Sequence, residues 1–238
     1  MTIRSRLEPP NNFERWYDTS TLETTFVAAP VWFSDDFLAT AINADFWTSR
    51  DTGAATEALS ADAGNGVLSL ALDATNEVQL AGVDWGNQRT LVLNQGVNVE
   101  FRFKLSVIPT GSVVAVLGLC GDHNAAVNTV AESIWFRADG SGAITVETDD
   151  TSNETSAVAT GTTLTTSDWC IARIDCSTIT DVRFYINGAR VASGTTFNMS
   201  TVAALALQPV ARIGKESAAA TVGTLLVDYC KLWMKRSA

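Results

Sequence analysis

The fold is decided by the stretch from Asp168 to Gly188, which reads DWCIARID at 168–175 and DVRFYING at 181–188. In its second half the residues at 182, 184 and 186 are apolar, so they fall on one face of a strand. The strand stops at Asn187-Gly188, a dipeptide that favours a two-residue type I′ turn because both central residues need positive φ. Residues 189–192 can then return as the partner strand. The stretch therefore predicts a β-hairpin within an antiparallel sheet.

Further strands are predicted along the chain by the same alternation. The clearest is 97–107, where every odd position is apolar and every even position is polar, so one face should be buried and the other solvated. Strands are also expected at 67–72, 113–119, 134–138, 143–148, 210–213 and 224–234, and residues 149–163 are expected to form a loop or an edge. About a dozen short strands separated by turns predict a β-sandwich.

Composition and charge narrow the class of protein. The chain has 238 residues, 46% of them hydrophobic and 18% charged, which is typical of a folded globular protein. Its net charge is −10 and only four of its sixteen basic residues are lysines. An acidic chain without a basic stripe is not expected to bind nucleic acid. The polar N-terminus does not predict a signal peptide, and the longest apolar runs (113–116 and 202–207) are too short to span a bilayer, so no membrane association is expected.

The four cysteines are Cys120, Cys170, Cys176 and Cys230, and none forms a CxxC pair. A zinc site is therefore not predicted. Cys170 and Cys176 have the same parity, so both should point inward if their strand is unbroken. We expect reduced thiols in the core for a chain made in a reducing compartment.

Residues 1–30 differ from the rest of the chain. Pro9-Pro10-Asn11-Asn12 interrupts regular structure, and the apolar residues around it have no stable period. The segment is either a disordered leader or an extended arm that packs against something, and the adjacent aromatics Trp16 and Tyr17 favour the arm. We therefore predict an assembly arm at 1–30 followed by a single sandwich domain at 31–238.

Several segments, in order, resemble the concanavalin A-like lectin/glucanase jelly roll, a group that includes laminin G-like domains. They are Ser34-Asp35-Asp36-Phe37 with Phe46-Trp47, then 66–70, 99–105, 169–188, 211–214 and 227–233. The resemblance implies an all-β jelly-roll sandwich of two antiparallel sheets, here preceded by the extended N-terminal arm. It leaves function open, because this fold carries hydrolases, lectins and structural modules.

Catalysis is not predicted. Hydrolases of this group carry two glutamates and an aspartate at alternate positions of one strand, and retaining chemistry needs its two carboxyl groups only about 5–5.5 Å apart. The nearest match is Glu147-Thr148-Asp149-Asp150-Thr151, which lacks the second glutamate. The only histidine, His123, lies in a predicted turn without a matched nucleophile.

A carbohydrate-binding site would need an exposed aromatic ring beside polar groups. Trp85 is the best candidate, with Asp84, Asn87 and Gln88 as hydrogen-bonding neighbours, and its rival interpretation is a tryptophan that caps the end of the sandwich. Asp35, Asp122 and Asp228 are conceivable Ca²⁺ ligands, but their loops lack regularly spaced oxygen donors, so neither a metal nor a cofactor is predicted.

A structural role is the third class. An unsplit jelly roll with an aromatic-bearing arm and no intact catalytic triplet resembles, in overall plan, the virion proteins of tailed bacteriophages. This resemblance implies a non-catalytic capsid decoration or stabilising protein in the virion, multimeric, with the major capsid protein or another virion protein as its partner. The residues expected to contact that partner are Arg4, Arg6, Phe13, Trp16 and Tyr17. A carbohydrate-binding module with a glycan partner is the alternative.

Overall fold

The computed structural model describes residues 3–8, 13–20, 22–61, 63–202 and 206–236. Its strands form three antiparallel sheets, two of which are large and stack as a sandwich. Within those residues, no helix combines the length and the apolar character that a membrane crossing requires. The predicted all-β jelly-roll class is confirmed.

The small sheet, called here the N-terminal sheet, has the order β1-β2-β3 and consists of β1 (Ile3–Glu8), β2 (Phe13–Asp18) and β3 (Thr24–Ala28). Sheet I has the order β17-β16-β15-β10-β19-β7-β6, with β4 beside β19. Its strands are β4 (Val31–Asp35), β6 (Thr56–Leu59), β7 (Leu68–Leu72), β10 (Asn98–Val107), β15 (Cys170–Asp175), β16 (Arg183–Ile186), β17 (Ala189–Val191) and β19 (Gly223–Met234).

Sheet II has the order β14-β13-β12-β11-β18-β8-β5, with β9 beside β18. Its strands are β5 (Thr48–Ser49), β8 (Glu77–Asp84), β9 (Leu91–Val92), β11 (Val113–Cys120), β12 (Glu132–Asp139), β13 (Ala143–Asp150), β14 (Glu154–Thr163) and β18 (Ala206–Ala219). Three 3₁₀ turns lie at Leu93–Gln95, Val127–Thr129 and Ser200–Val202. Residues 154–163 form an edge strand, which is one of the two alternatives expected for 149–163, whereas residues 149–150 end β13.

The main core fills the space between sheets I and II. The odd positions of β10 are buried there, as the alternation of 97–107 predicts, and Phe101 and Phe103 are among the largest buried side chains. Asn187 and Gly188 both have positive φ, 47° and 77°, and join β16 to β17, so the predicted two-residue hairpin turn is confirmed. All four cysteines are free and buried, and Cys170 and Cys176 both belong to this core.

Both large sheets are also covered on their outer faces. Residues 121–131, here called the covering loop, lie over sheet II and bury Trp135 with Val116 and Val210. On sheet I, Trp233 is buried by Phe13 and Val27 of the N-terminal sheet. These two tryptophans are therefore buried outside the main core, on the outward faces of their sheets.

The polar face of β10 departs from the expectation of a solvated surface. Glu100 is 1% exposed because Thr24 of the N-terminal sheet lies over it, and Asn98 is equally buried, with its Nδ2 donating to Gly96 O at 3.2 Å. The described part of the leader is thus a three-stranded sheet rather than the extended arm that was expected. Its strands are only five or six residues long, and their inward face mixes Phe13 and Val27 with Arg15 and Thr24, so no clear hydrophobic period appears in the sequence.

Candidate functional site

The N-terminal sheet is held to sheet I by a polar network around Glu100. Thr24 donates from its backbone N to Glu100 Oε1 at 3.0 Å and from its Oγ1 to Oε2 at 2.7 Å. The Tyr229 hydroxyl also donates to Oε1, at 3.0 Å. Burial and the neighbouring Glu100 carboxylate raise the pKa of Tyr229 well above its ordinary value, so its hydroxyl stays a donor. The buried Glu100 carboxylate therefore has donors on both oxygens.

Two further contacts fix this sheet in place. Lys231 Nζ donates to Glu23 Oε1 at 2.9 Å and to Thr24 O at 3.0 Å. Leu22 lies against the hairpin turn of β16 and β17, where a Cβ added to Gly188 would come within 2.8 Å of Leu22 Cδ1. Apolar packing, an ion pair and hydrogen bonds thus join the leader to the sandwich.

The opposite face of the N-terminal sheet exposes apolar side chains. Ser5 pairs with Trp16, and Trp16 pairs with Phe26, so these three residues form one row across the sheet. Ile3 and Leu7 lie on the same face as Ser5, two residues to either side of it. The exposed fractions are 46% for Ile3, 63% for Leu7, 40% for Trp16 and 51% for Phe26. We call these four residues the apolar face; Trp32, 54% exposed on β4, lines one groove with Phe26.

The predicted partner-contact residues divide between the two faces of this sheet. Trp16 belongs to the apolar face, whereas Arg4 and Arg6 are exposed and share the other face with Tyr17, over whose ring Arg15 lies at 5.0 Å. Phe13 is only 6% exposed because it packs on Trp233, so its predicted role as an anchor for a partner is corrected to an internal one. Sequence reasoning missed Phe26 and Leu7, since their face becomes visible only once the strand register is known.

The outer face of sheet II, where alternate side chains of β11, β12, β13 and β18 point away from the core, is occupied by the covering loop. Arg212 donates to Asn124 O and Ala125 O, each at 2.6 Å, and its own side chain is buried. Arg137 Nη1 donates to Asn128 Oδ1 at 2.7 Å. Together with the apolar packing on Trp135, these bonds hold residues 121–131 against the outer face of sheet II.

Glu147, the candidate acid of the hydrolase hypothesis, lies on this face beside the covering loop. It is 8% exposed and its Oε2 is 3.5 Å from Arg137 Nη1. Burial raises the pKa of Glu147, and the nearby carboxylates of Glu154 and Asp149 raise it further, while Arg137 opposes them. Asp149 lies near the end of β13, and its Oδ1 accepts a hydrogen bond from Thr151 N in the following turn at 2.7 Å. The carboxyl groups of Glu147 and Asp149 on β13 and of Glu154 on the edge strand β14 thus lie at one side of sheet II, beside the covering loop.

The residues of the predicted carbohydrate site do not converge on an open surface. Asp84 is 1% exposed and forms a bidentate ion pair with Arg50, at 2.9 and 3.1 Å. Asn87 Oδ1 accepts bonds from His123 N at 2.8 Å and Gln208 Nε2 at 3.1 Å. Gln88 is exposed.

Trp85 is half-buried and belongs to an aromatic cluster. Its ring lies 5.4 Å from Phe33 and 6.4 Å from Trp47, and its Nε1 is buried without a hydrogen-bond partner among the described residues. This placement agrees with the rival interpretation of a tryptophan that caps the end of the sandwich.

His123 is the turn residue expected from the sequence, and its surroundings are cationic as well as acidic. Its Nδ1 lies 3.5 Å from Asp84 Oδ2. Burial lowers the pKa of His123, and Arg212 and Arg50 lower it further against the opposing effect of Asp84. The imidazole therefore titrates below its ordinary range and is neutral at pH 7.

The described residues contain no group of three or more His, Cys, Asp or Glu side chains arranged to hold a metal ion. The three aspartates considered as Ca²⁺ ligands each have another partner. Asp35 accepts a bond from Trp47 Nε1 at 2.8 Å, Asp122 lies 3.6 Å from Arg89 Nη1, and Asp228 forms an ion pair with Arg102.

This geometry defines a concanavalin A-like jelly-roll fold in which part of the outer face of each large sheet is covered by the chain's own segments. The chain belongs to the family described as SO2946-like, C-terminal domain, whose model matches residues 64–228. Among curated protein sequences nothing matches.

Solved structures with the same fold include proteins that act on glycans. A Shewanella oneidensis MR-1 protein of unknown function, SO2946, is 16% identical with a TM-score of 0.57, and the match covers 92% of this chain and 94% of that one. A Bacteroides ovatus GH16 protein of the mixed linkage glucan PUL, in complex with a G4G4G3G product, is 12% identical with a TM-score of 0.60, over 84% and 99% of the two chains. The Thermotoga maritima laminarinase catalytic domain is 12% identical with a TM-score of 0.59, over 86% and 98%. At these identities the likeness extends to the fold alone.

Proposed function

We propose that this protein is a non-catalytic structural module that joins a larger assembly through the apolar face of its N-terminal sheet. The observation that carries the proposal is the exposure of Ile3, Leu7, Trp16 and Phe26 side by side on one sheet face. Contiguous exposed apolar side chains with aromatic members are typical of protein–protein interfaces. The other face of β2 and β3 is fixed to sheet I, and β1 pairs with β2, so Trp16 and Phe26 are held in place before binding and lose little conformational entropy.

The absence of catalysis is part of the proposal. Its support is that the covering loop occupies part of the outer face of sheet II, beside the buried Glu147. A glycosidase needs an open groove in which two carboxyl groups flank the scissile bond. The specific assembly that we propose is a virion, in which the module decorates or stabilises the capsid as a multimer bound to the major capsid protein or another virion protein.

The test is incorporation of a variant with Trp16→Ser and Phe26→Ser into particles purified from cells that make the protein. We expect the double variant to fold and to be depleted at least tenfold, as counted by quantitative mass spectrometry. Leu38→Ser with Val107→Ser, which changes two exposed apolar residues elsewhere, is the matched control and should be incorporated normally. Undiminished incorporation of the double variant would exclude the apolar face, and absence of the wild-type protein from particles would exclude the virion.

Point variants are a sharper test than removal of residues 1–30. The N-terminal sheet covers Glu100 and Trp233, so its removal would expose both and would disturb sheet I as well as docking. Loss of assembly after such a truncation would have two explanations, whereas changes on the apolar face leave the anchoring contacts intact.

A carbohydrate-binding module remains the second candidate, and the observation that favours it is the fold shared with proteins that act on glycans. In this case the exposed rim around Trp85 and Gln88 would contact the sugar. Glycan-array binding that is lost in Gln88→Ala as well as in Trp85→Ala would favour this function. The Gln88→Ala variant is needed because Trp85 also packs against Phe33 and Trp47, so Trp85→Ala could disturb the fold as well as the binding surface.

A further inference from the structure

We propose that β1 is an edge onto which a partner protein adds a β-strand, and that this strand alternates acidic and apolar side chains. The inference rests on the proposed docking role of the N-terminal sheet and specifies the chemistry of the partner. In this mode main-chain hydrogen bonds supply affinity and alternate side chains supply specificity.

The first argument is that β1 has a free edge. It pairs with β2 over six residues, from Ile3↔Asp18 to Glu8↔Phe13, and no strand among the described residues pairs with its other side. The backbone N–H and C=O groups along that side are therefore available to another chain.

The second argument is that the two arginines of β1 differ from most cations of this acidic protein. The ion pairs Arg50–Asp84, Arg89–Glu132, Arg102–Asp228, Arg137–Asp139, Arg190–Asp181 and Lys231–Glu23 are typical of the others. The cations of Arg212 and Lys215 donate to backbone carbonyls. Arg4 and Arg6 are exposed, and neither forms an ion pair or hydrogen bond within the described part of the chain. Two unpaired guanidinium groups on one face of an edge strand complement a strand with carboxylates at alternate positions.

The third argument is the apolar character of the other face of β1. Charges and prolines protect natural edge strands from association. β1 carries charges as well, but its apolar side chains remain open to an added strand. Here Ile3 and Leu7 are 46% and 63% exposed and continue the row that contains Trp16. A strand added at this edge would place its apolar residues beside Ile3 and Leu7 and its acidic residues beside Arg4 and Arg6.

A second copy of this chain fits the same edge poorly. Antiparallel pairing of two β1 strands about Ser5 places Arg4 of each strand opposite Arg6 of the other, and these pairs would add to the arginine pair that Arg6 already forms with Arg15 across β1 and β2. Like charges directly opposite each other destabilise a sheet. The partner strand is therefore assigned to a different protein.

The test uses the full-length protein and two labelled peptides, acetyl-Thr-Val-Glu-Val-Glu-Val-Thr-amide and its counterpart with lysine in place of glutamate. We expect the acidic peptide to bind about tenfold more tightly than the basic one, measured by fluorescence anisotropy. The variant carrying Arg4→Glu and Arg6→Glu should reverse this order. Non-specific attraction to a protein of net charge −10 would favour the basic peptide on the wild type, so the predicted order does not arise from net charge.

Hydrogen exchange distinguishes strand addition from a surface ion pair. The acidic peptide should slow exchange of backbone amides in residues 3–8, whereas attachment through side chains alone would leave them unchanged. The proposal is overturned if the basic peptide binds the wild type equally or better, if the double variant retains binding of the acidic peptide, or if the β1 amides are not protected. The two proposals can fail separately. If one of these results is found but the Trp16→Ser and Phe26→Ser variant is still depleted from particles, strand addition is excluded and docking through the apolar face is retained.

Discussion

Glu147 is a carboxyl group held where burial disfavours its charge. Its pKa lies above the ordinary value of 4.5, so the folded state favours the protonated form more strongly than the unfolded state does. The sign follows by linkage: the folded protein is stabilised below pH 4.5 relative to higher pH, and it loses that advantage as the pH rises through the raised pKa.

Glu147→Gln should therefore stabilise the protein at pH 7. Glutamine reproduces the neutral form at every pH, so the gain should be full at pH 7 and should disappear below about pH 4.5. Melting temperatures measured across this range test the prediction. Asp51→Asn, at an exposed acid whose side chain has no ion-pair or hydrogen-bond partner among the described residues, is the control and should stay within about 0.5 kcal/mol of wild type at each pH. A destabilised Glu147→Gln variant at pH 7 would mean that the Arg137 ion pair outweighs the burial of the charge.

The thiols provide a second prediction at this scale. All four cysteines are buried, and burial raises the pKa of Cys120 and of Cys170 to about 12 each. The thiolate is the reactive form, so iodoacetamide should leave the native protein unmodified and should add four labels after unfolding under non-oxidising conditions. Mass spectrometry counts the labels. Rapid modification of any cysteine in the native protein would contradict the placement of that residue.

Individual residues were predictable from sequence where the cause is local. Positive φ at Asn187 and Gly188 follows from turn chemistry, and the burial of Phe101 follows from alternation along one strand. Glu100 and Trp135 were not predictable in this way. Both belong to strand faces that alternation assigns to solvent. Glu100 is buried by Thr24, which is 76 residues away in sequence, and Trp135 is buried by the irregular loop 121–131 that precedes its strand.

At the scale of elements, much of the hydrogen bonding between the N-terminal sheet and sheet I involves the carboxylate of Glu100. Thr24→Val removes the hydroxyl that donates to Glu100 Oε2 and keeps the β-branched shape. We expect a loss of about 1–3 kcal/mol, because the buried carboxylate would remain with one fewer donor. Urea denaturation measures the change in the free energy of unfolding.

Thr25→Val is the matched control for that measurement. Thr25 lies next along β3, is exposed, and its hydroxyl bonds only Trp16 O among the described partners, at 3.1 Å. Its replacement should cost less than about 0.5 kcal/mol. Equal losses in the two variants would indicate that β-strand propensity, rather than the Glu100 contact, determines the stability of this sheet.

Most large strands were predicted within two residues, because one face of each is apolar at period two, but no strand was predicted at β8, and β18 (Ala206–Ala219) was expected only at 210–213. The strands of the leader were not predicted, because their inward face carries Arg15 and Thr24 beside Phe13 and Val27. The polar residues of such a mixed face find hydrogen-bond partners only on sheet I, so the sequence of the leader shows no hydrophobic alternation that would predict its strands. For the same reason the candidate site was only half predicted: Trp16 is on the apolar face, whereas Phe13 is beneath it.

At the scale of the whole molecule, the last strand is central to sheet I. β19 pairs with β10 on one side, and with β7 and β4 on the other. Deletion of residues 223–238 should therefore abolish folding, because it opens sheet I in the middle and removes Trp233 and Tyr229 from beneath the N-terminal sheet. Circular dichroism and amide dispersion in NMR spectra test this. Deletion of residues 237–238 alone is the control, and a folded chain lacking β19 would contradict the topology.

The pairing of β4 with β19 determines how the molecule bears mechanical load. β4 follows the N-terminal sheet directly, and its first residue, Val31, pairs with Met234 near the end of β19. A pull transmitted from a docked N-terminal sheet would reach that terminal pair first and would open the ladder one pair at a time, which is the weak direction for a β-sheet. The bonds of Thr24 to Glu100 and the packing of Phe13 and Val27 on Trp233 bypass this ladder. These contacts transmit the force to β10 and β19 in the middle of sheet I, where strands must slide past one another before they separate.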